Sequence, residues 1–79
     1  MTEILQNDVG GYYDSIIQTD DSGNTYIAEA PLGTPRTSKA WRVKRISQTD
    51  GETQIVWAEN HPGFIHTATD LTALTFREI

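Results

Sequence analysis

Apolar and polar residues alternate along much of this chain with the period of a strand, and polar turn residues punctuate the alternation. "YYDSIIQTDDSGNTYIAEA" predicts a hairpin with strands at Tyr12–Gln18 and Thr25–Ala30. The intervening "DDSGN" supplies residues that tolerate positive φ or bond their own backbone. "WRVKRISQTDGETQIVWAE" predicts a second hairpin around Asp50–Gly51, because both central positions of a type I′ turn need positive φ. That turn fixes a register: Thr49 faces Glu52, Ile46 faces Ile55, Arg45 faces Val56, Lys44 faces Trp57, Val43 faces Ala58 and Arg42 faces Glu59. Paired side chains share a face. Ile46, Ile55 and Trp57 then lie together, with Lys44 against the indole and Arg42 against Glu59. Trp41, Val43, Val56, Ala58 and Arg45 lie on the other side. Both faces are half apolar, which suits a strand pair packed on one side by its own core and on the other by a loop or a neighbouring chain.

The other segments are less regular. Residues 1–11 end in Gly10–Gly11 and are expected to form a flexible N-terminal arm, with Ile4, Leu5 and Val9 as its apolar positions. Two prolines and a glycine make Pro31–Ala40 a loop. After a Pro62–Gly63 turn, Asp70–Leu74 predicts one helical turn capped by Thr69 or Asp70, and Leu74–Phe76 a closing strand. Eleven threonines among scattered Ile, Val, Tyr and Trp favour strands. The expected fold is all-β: residues 12–79 form one small antiparallel barrel or sandwich of about five short strands.

Composition narrows the possibilities. With 79 residues there is room for one domain, and a domain of this size is marginally stable alone. The absence of cysteine removes disulfides as a staple and disfavours structural zinc. That leaves an idealised core, or docking and oligomerisation. A net charge of −5 disfavours bulk nucleic-acid binding. No apolar run is long enough to span a membrane, and the start lacks the features of a secretory signal.

Candidate chemistry is sparse. His61 and His66, with Glu59 and Asp70, could be weighed as metal ligands, but H-x4-H around Pro62–Gly63 does not lie on one helix face. "DDSGNTYIAE" imitates the start of a calcium loop through Asp20, Ser22 and Asn24. It carries Thr25 where glycine is required and Pro31 where glutamate is required, so a polar hairpin turn is expected. No nucleophile motif or phosphate-binding loop is present, and adjacent Asp20 and Asp21 would not flank a substrate. We expect no enzyme activity, no cofactor and no metal.

Charge distribution is more informative. Five of the six basic residues, Arg36, Lys39, Arg42, Lys44 and Arg45, fall in "TPRTSKAWRVKRI" beside Trp41. Arginine next to tryptophan is enriched at interface cores. Arg36, Lys39, Trp41, Arg42 and Lys44 are therefore the candidate partner-binding residues. Their partner would be an acidic protein surface or a further copy meeting the basic segment head to tail. Stacking of single-stranded nucleic acid on Trp41, Trp57 and Tyr26 is opposed by the net charge.

"GNTYIAEAPLGTPRTSKAWRVKRI", a D-G hairpin, "TQIVWAENHPGF" and "LTALTF" resemble a set of small proteins of tailed bacteriophages. Those proteins read approximately Y-I-G-x-A-x-x-G-T-x-T-S-x-x-x-W-R-I-K-R-I. The matching positions are Tyr26, Ile27, Ala30, Gly33, Thr34, Thr37, Ser38, Trp41, Arg42, Val43, Lys44, Arg45 and Ile46. The chain departs at Ala28, where the set usually has glycine, and in the tail "HPGFIHTATDL". The resemblance implies a non-enzymatic virion structural protein, made in the bacterial cytoplasm. It would dock in multiple copies on phage capsid or tail components, as a capsid decoration or a tail- or neck-associated subunit. The alternatives are a host-surface binding module using loops Pro31–Ala40 and Asn60–Asp70, and an intracellular regulator that binds a host protein.

Overall fold

The computed structural model describes residues 12–79, and the expected N-terminal arm lies outside these described residues. Four strands form one antiparallel meander: β1 (Tyr13–Thr19), β2 (Thr25–Pro31), β3 (Arg42–Thr49) and β4 (Glu52–Trp57). Each strand pairs with its neighbours in sequence, and the two outer strands do not meet. The all-β class is as expected, but the sheet is open and not closed into a barrel.

Both hairpin turns form where turn chemistry places them. Asp50 and Gly51 take φ of 53° and 84°, the pair of left-handed residues that a type I′ turn needs. The β3–β4 register matches the expectation from Thr49↔Glu52 to Lys44↔Trp57. It stops there, so Val43–Ala58 and Arg42–Glu59 do not pair. Ala58–Asn60 instead makes a 3-10 turn in which Glu59 and Asn60 hold φ of 52° and 58°. This reversal takes the chain out of the sheet plane and starts the tail across one face. The Glu59 amide donates to the Thr75 carbonyl at 2.7 Å, which ties the reversal to the far end of the tail.

The tail is the second layer. Asp70 caps a 3-10 turn at Leu71–Ala73 by accepting from the Thr72 amide. Gln18 of β1 holds that turn from below: its Oε1 accepts from the Leu71 amide at 3.0 Å and its Nε2 donates to Asp70 Oδ1 at 3.2 Å. The strand expected at Leu74–Phe76 does not form. Those residues lie against the sheet face as irregular chain, and Leu74 and Phe76 pack on the core.

Strand alternation assigns every sheet residue to one of two faces. The covered face carries Ile16 of β1, Tyr26, Ala28 and Ala30 of β2, Val43 of β3 and Val56 of β4. Together with Trp41, Ala58, Ala68 and Leu71 these make the core, and Ala28, Ala30, Val43 and Leu71 are wholly buried. The two β2 alanines keep this face shallow, which lets Ala68 and Leu71 of the tail approach the sheet closely. The Tyr26 and Phe76 rings meet at 5.4 Å in a tilted arrangement.

Candidate functional site: an open sheet face

The other face has no second layer among the described residues. From one end to the other it presents Tyr13, then the row Ser15–Glu29–Arg42, then Ile17–Ile27–Lys44–Trp57, then Thr19–Thr25–Ile46–Ile55, and last Gln48–Thr53. Ile17 and Ile55 are 66% and 54% exposed. Tyr13 and Phe64, which stacks on it, are also exposed, while Ile27, Ile46 and Trp57 are half-buried. Isolated surface hydrophobics are ordinary; a run of them across four paired strands marks a candidate contact face.

Arg42 is at the hub of its aromatic end. Its Nε donates to Glu29 Oε1 at 2.9 Å, across the β2–β3 ladder. Its guanidinium lies 4.8 Å from the Phe64 ring centroid, 5.5 Å from that of Tyr13 and 5.9 Å from that of Trp57. Tyr13 and Phe64 stack with centroids 5.9 Å apart and planes 9° off parallel. Lys44 Nζ lies 5.6 Å from the Trp57 centroid, so the expected Lys44–indole contact is present. The Arg42–Glu59 contact is replaced by Arg42–Glu29, because β4 ends before Glu59 could come opposite. Ring faces hold both cations by their quadrupole attraction, which fixes where the positive charge is presented.

The structure divides the five candidate partner-binding residues. Arg42 and Lys44 share the open face. Trp41 does not reach the surface: it is 2% exposed, its indole N–H donates to the Pro35 carbonyl at 3.0 Å, and its backbone bridges to His66. A buried indole that fills the core is not available to a partner, so Trp41 is corrected to a structural residue. Arg36 and Lys39 are exposed in the loop that joins β2 to β3. Arg36 Nε donates to the Ala68 carbonyl at 2.9 Å, and the Ala68 amide donates to the Arg36 carbonyl at 2.7 Å, so Arg36 also fastens loop to tail. Arg45 points to the covered side as expected, over Phe76 and 3.4 Å from Glu78.

Of the three aromatics weighed for base stacking, Trp41 and Tyr26 are in the core. His61 and His66 do not converge. His61 is exposed and its Nδ1 accepts from the Gly63 amide at 2.9 Å, whereas His66 is buried beside Trp41. Among the described residues no three His, Asp or Glu side chains come together as metal ligands would. The calcium-like stretch is a hairpin turn organised by one carboxylate. Asp20 accepts from the Ser22 and Asn24 amides, the Asn24 side chain and the Tyr26 hydroxyl, the last at 2.6 Å. The Tyr26 hydroxyl and then Asn24 hold the Asp20 carboxyl far below the usual carboxylate range. Burial, the hydrogen bond to Asp20 and the charge of that carboxylate push the Tyr26 phenol up.

Sequence reasoning missed Tyr13, Glu29 and Phe64 as members of the cation cluster. Comparison with protein-family descriptions, curated proteins and solved structures finds no match to this chain.

Proposed function

We propose that this protein is a non-enzymatic structural protein of a tailed-phage virion, docking in multiple copies on a larger particle component. One observation carries the reading: among the described residues an entire sheet face is left open, with Arg42 and Lys44 presented on aromatic rings amid aliphatic side chains. Arginine and aromatic residues inside an apolar patch are the composition of a protein–protein contact. The resemblance of the Trp41–Ile46 segment and its flanks to small phage proteins supplies the setting. Charge on the face suits acidic groups on the opposing surface. The test is the double change Arg42→Glu, Lys44→Glu, with incorporation into particles measured against the major capsid protein. Loss of incorporation in a folded variant supports the reading, and unchanged incorporation removes the face from the contact.

A second reading has its own observation. Loops Pro31–Ala40 and Asn60–Asp70 are hydrogen-bonded to each other through Arg36 and Ala68, which holds them side by side. Such a pair could serve host recognition on a β scaffold. Binding of the isolated protein to a glycan array separates this role from docking.

A further inference from the structure

We infer that the occupant of the open face is a second copy of this chain, laid end for end to make a two-layer sandwich of eight strands. The inference rests on the reading of that face as a contact surface and names its partner: the dimer is then the unit that is incorporated, and charge reversal at Arg42 and Lys44 acts by dissociating it.

The face carries its own complement. One end holds Arg42, paired with Glu29, and the Tyr13 and Phe64 rings, and Lys44 on the Trp57 ring follows in the next row. The opposite end is aliphatic at Ile46 and Ile55 and runs out into both hairpin turns, where exposed Asp21 and Asp50 sit. The meander forces this arrangement, because the β1–β2 and β3–β4 turns fall at the same end of the sheet. A two-fold axis lying between the faces, normal to the strands and between the Lys44 and Ile46 rows, puts Lys44 and Trp57 of each copy over Ile46 and Ile55 of the other, and turns Arg42 toward the other's acid-tipped end. The contact is isologous and closes on itself. Turning the axis parallel to the strands would instead gather Arg42 and Lys44 of both copies at one end.

Size and layering agree with this occupant. A sheet must bury its apolar face against another layer, and among the described residues the tail supplies that layer on one side only. Four strands of this length give a face of roughly 20 by 25 Å, so two copies bury about 1,000 Å² together, at the lower bound for a specific interface. Two sheets packed this way stand about 10 Å apart. The pair is therefore a concentration-dependent dimer held by apolar contact and oriented by charge.

Sedimentation equilibrium of the full chain over a range of concentrations tests this, in vitro and apart from any particle. The expected result is a monomer–dimer equilibrium. Ile55→Asp and Lys44→Glu each raise the dissociation constant at least tenfold, while Thr69→Glu on the tail side leaves it unchanged. Circular dichroism checks that each variant is folded. A chain that stays monomeric overturns the inference. So does a dimer that ignores Ile55→Asp. If the face is filled by another segment of the chain, the Ile17 and Ile55 methyl signals are shielded from solvent probes at every concentration, and the inference also falls. A dimer together with absence from particles would sink the virion reading and leave this one standing; a monomer found in particles would do the reverse.

Discussion

Arg42 and Glu29 are direct cross-strand partners, 2.9 Å apart, at the rim of the open face. Both side chains keep about a third of their surface in water, 32% and 28%, so solvent screens the pair. A double-mutant cycle with Arg42→Gln and Glu29→Gln is expected to give a coupling of at most about 1 kcal/mol in chemical denaturation. A larger coupling would mean that the ring faces of Tyr13, Phe64 and Trp57 desolvate the pair more than the exposure implies.

The core depends on Trp41. Its side chain is enclosed by the sheet and the tail, and truncation to alanine leaves a large void. Trp41→Ala is expected to cost about 3–5 kcal/mol, enough to unfold most of a domain this small at 25 °C. Far-ultraviolet circular dichroism at increasing urea would show it. Trp57→Ala, on the half-buried open face, should cost much less.

Acid sensitivity should come from the carboxylates that organise turns. Asp20 is held low by Tyr26 and Asn24, and Asp70 is held low by Thr72 and then Gln18. A group depressed in the folded state adds stability that is present above its unfolded value, about 3.9 for aspartate, and is lost as pH falls through the folded value. Thermal melts between about pH 5 and pH 2 should therefore show wild type losing more than Asp20→Asn, and the Asp20→Asn, Asp70→Asn pair should be flatter still.

Alkali should find Tyr26. Burial and Asp20 raise its phenol, so the stability it contributes is present below the ordinary tyrosine value, about 10, and lost as pH rises through the raised one. Ultraviolet titration should show one tyrosine ionising late, and Asp20→Asn should bring it part of the way back, with burial accounting for the rest.

The reversal at Glu59 holds a residue with a Cβ in the left-handed region, at φ 52°. Glu59→Gly relieves that cost and adds chain entropy to the unfolded state. The two oppose, leaving an expected gain of up to about 1 kcal/mol. A urea midpoint that moves the other way would show that the Glu59 side chain contributes more than its exposure suggests.

Local features were legible in the sequence. Asp50–Gly51 specified its turn, and the turn specified the register from Thr49 to Lys44, because a two-residue loop leaves no freedom to slip. The split of Trp41, Val43 and Val56 from Ile46, Ile55 and Trp57 followed from alternation. What alternation cannot say is which face the chain covers itself. Trp41 looked like an interface residue beside Arg42, yet the face it belongs to is closed by Ala68, Leu71 and Phe76, more than twenty residues along the chain. Glu29 was illegible as the partner of Arg42 because a loop, not a tight turn, joins β2 to β3 and leaves their register open. The tail misled for a related reason. Leu74–Phe76 has strand-like residues, but the reversal at Glu59–Asn60 sends it across the sheet, where a layer needs apolar side chains more than a ladder.

The proposed virion role is tested most directly by quantitative mass spectrometry of purified phage particles, reported as copies of this chain per copy of the major capsid protein. The account predicts a fixed, multiple copy number that survives stringent purification. A ratio near one points to the shell, and one of a few per cent to the neck or tail. Particles that lack the chain altogether would contradict the account.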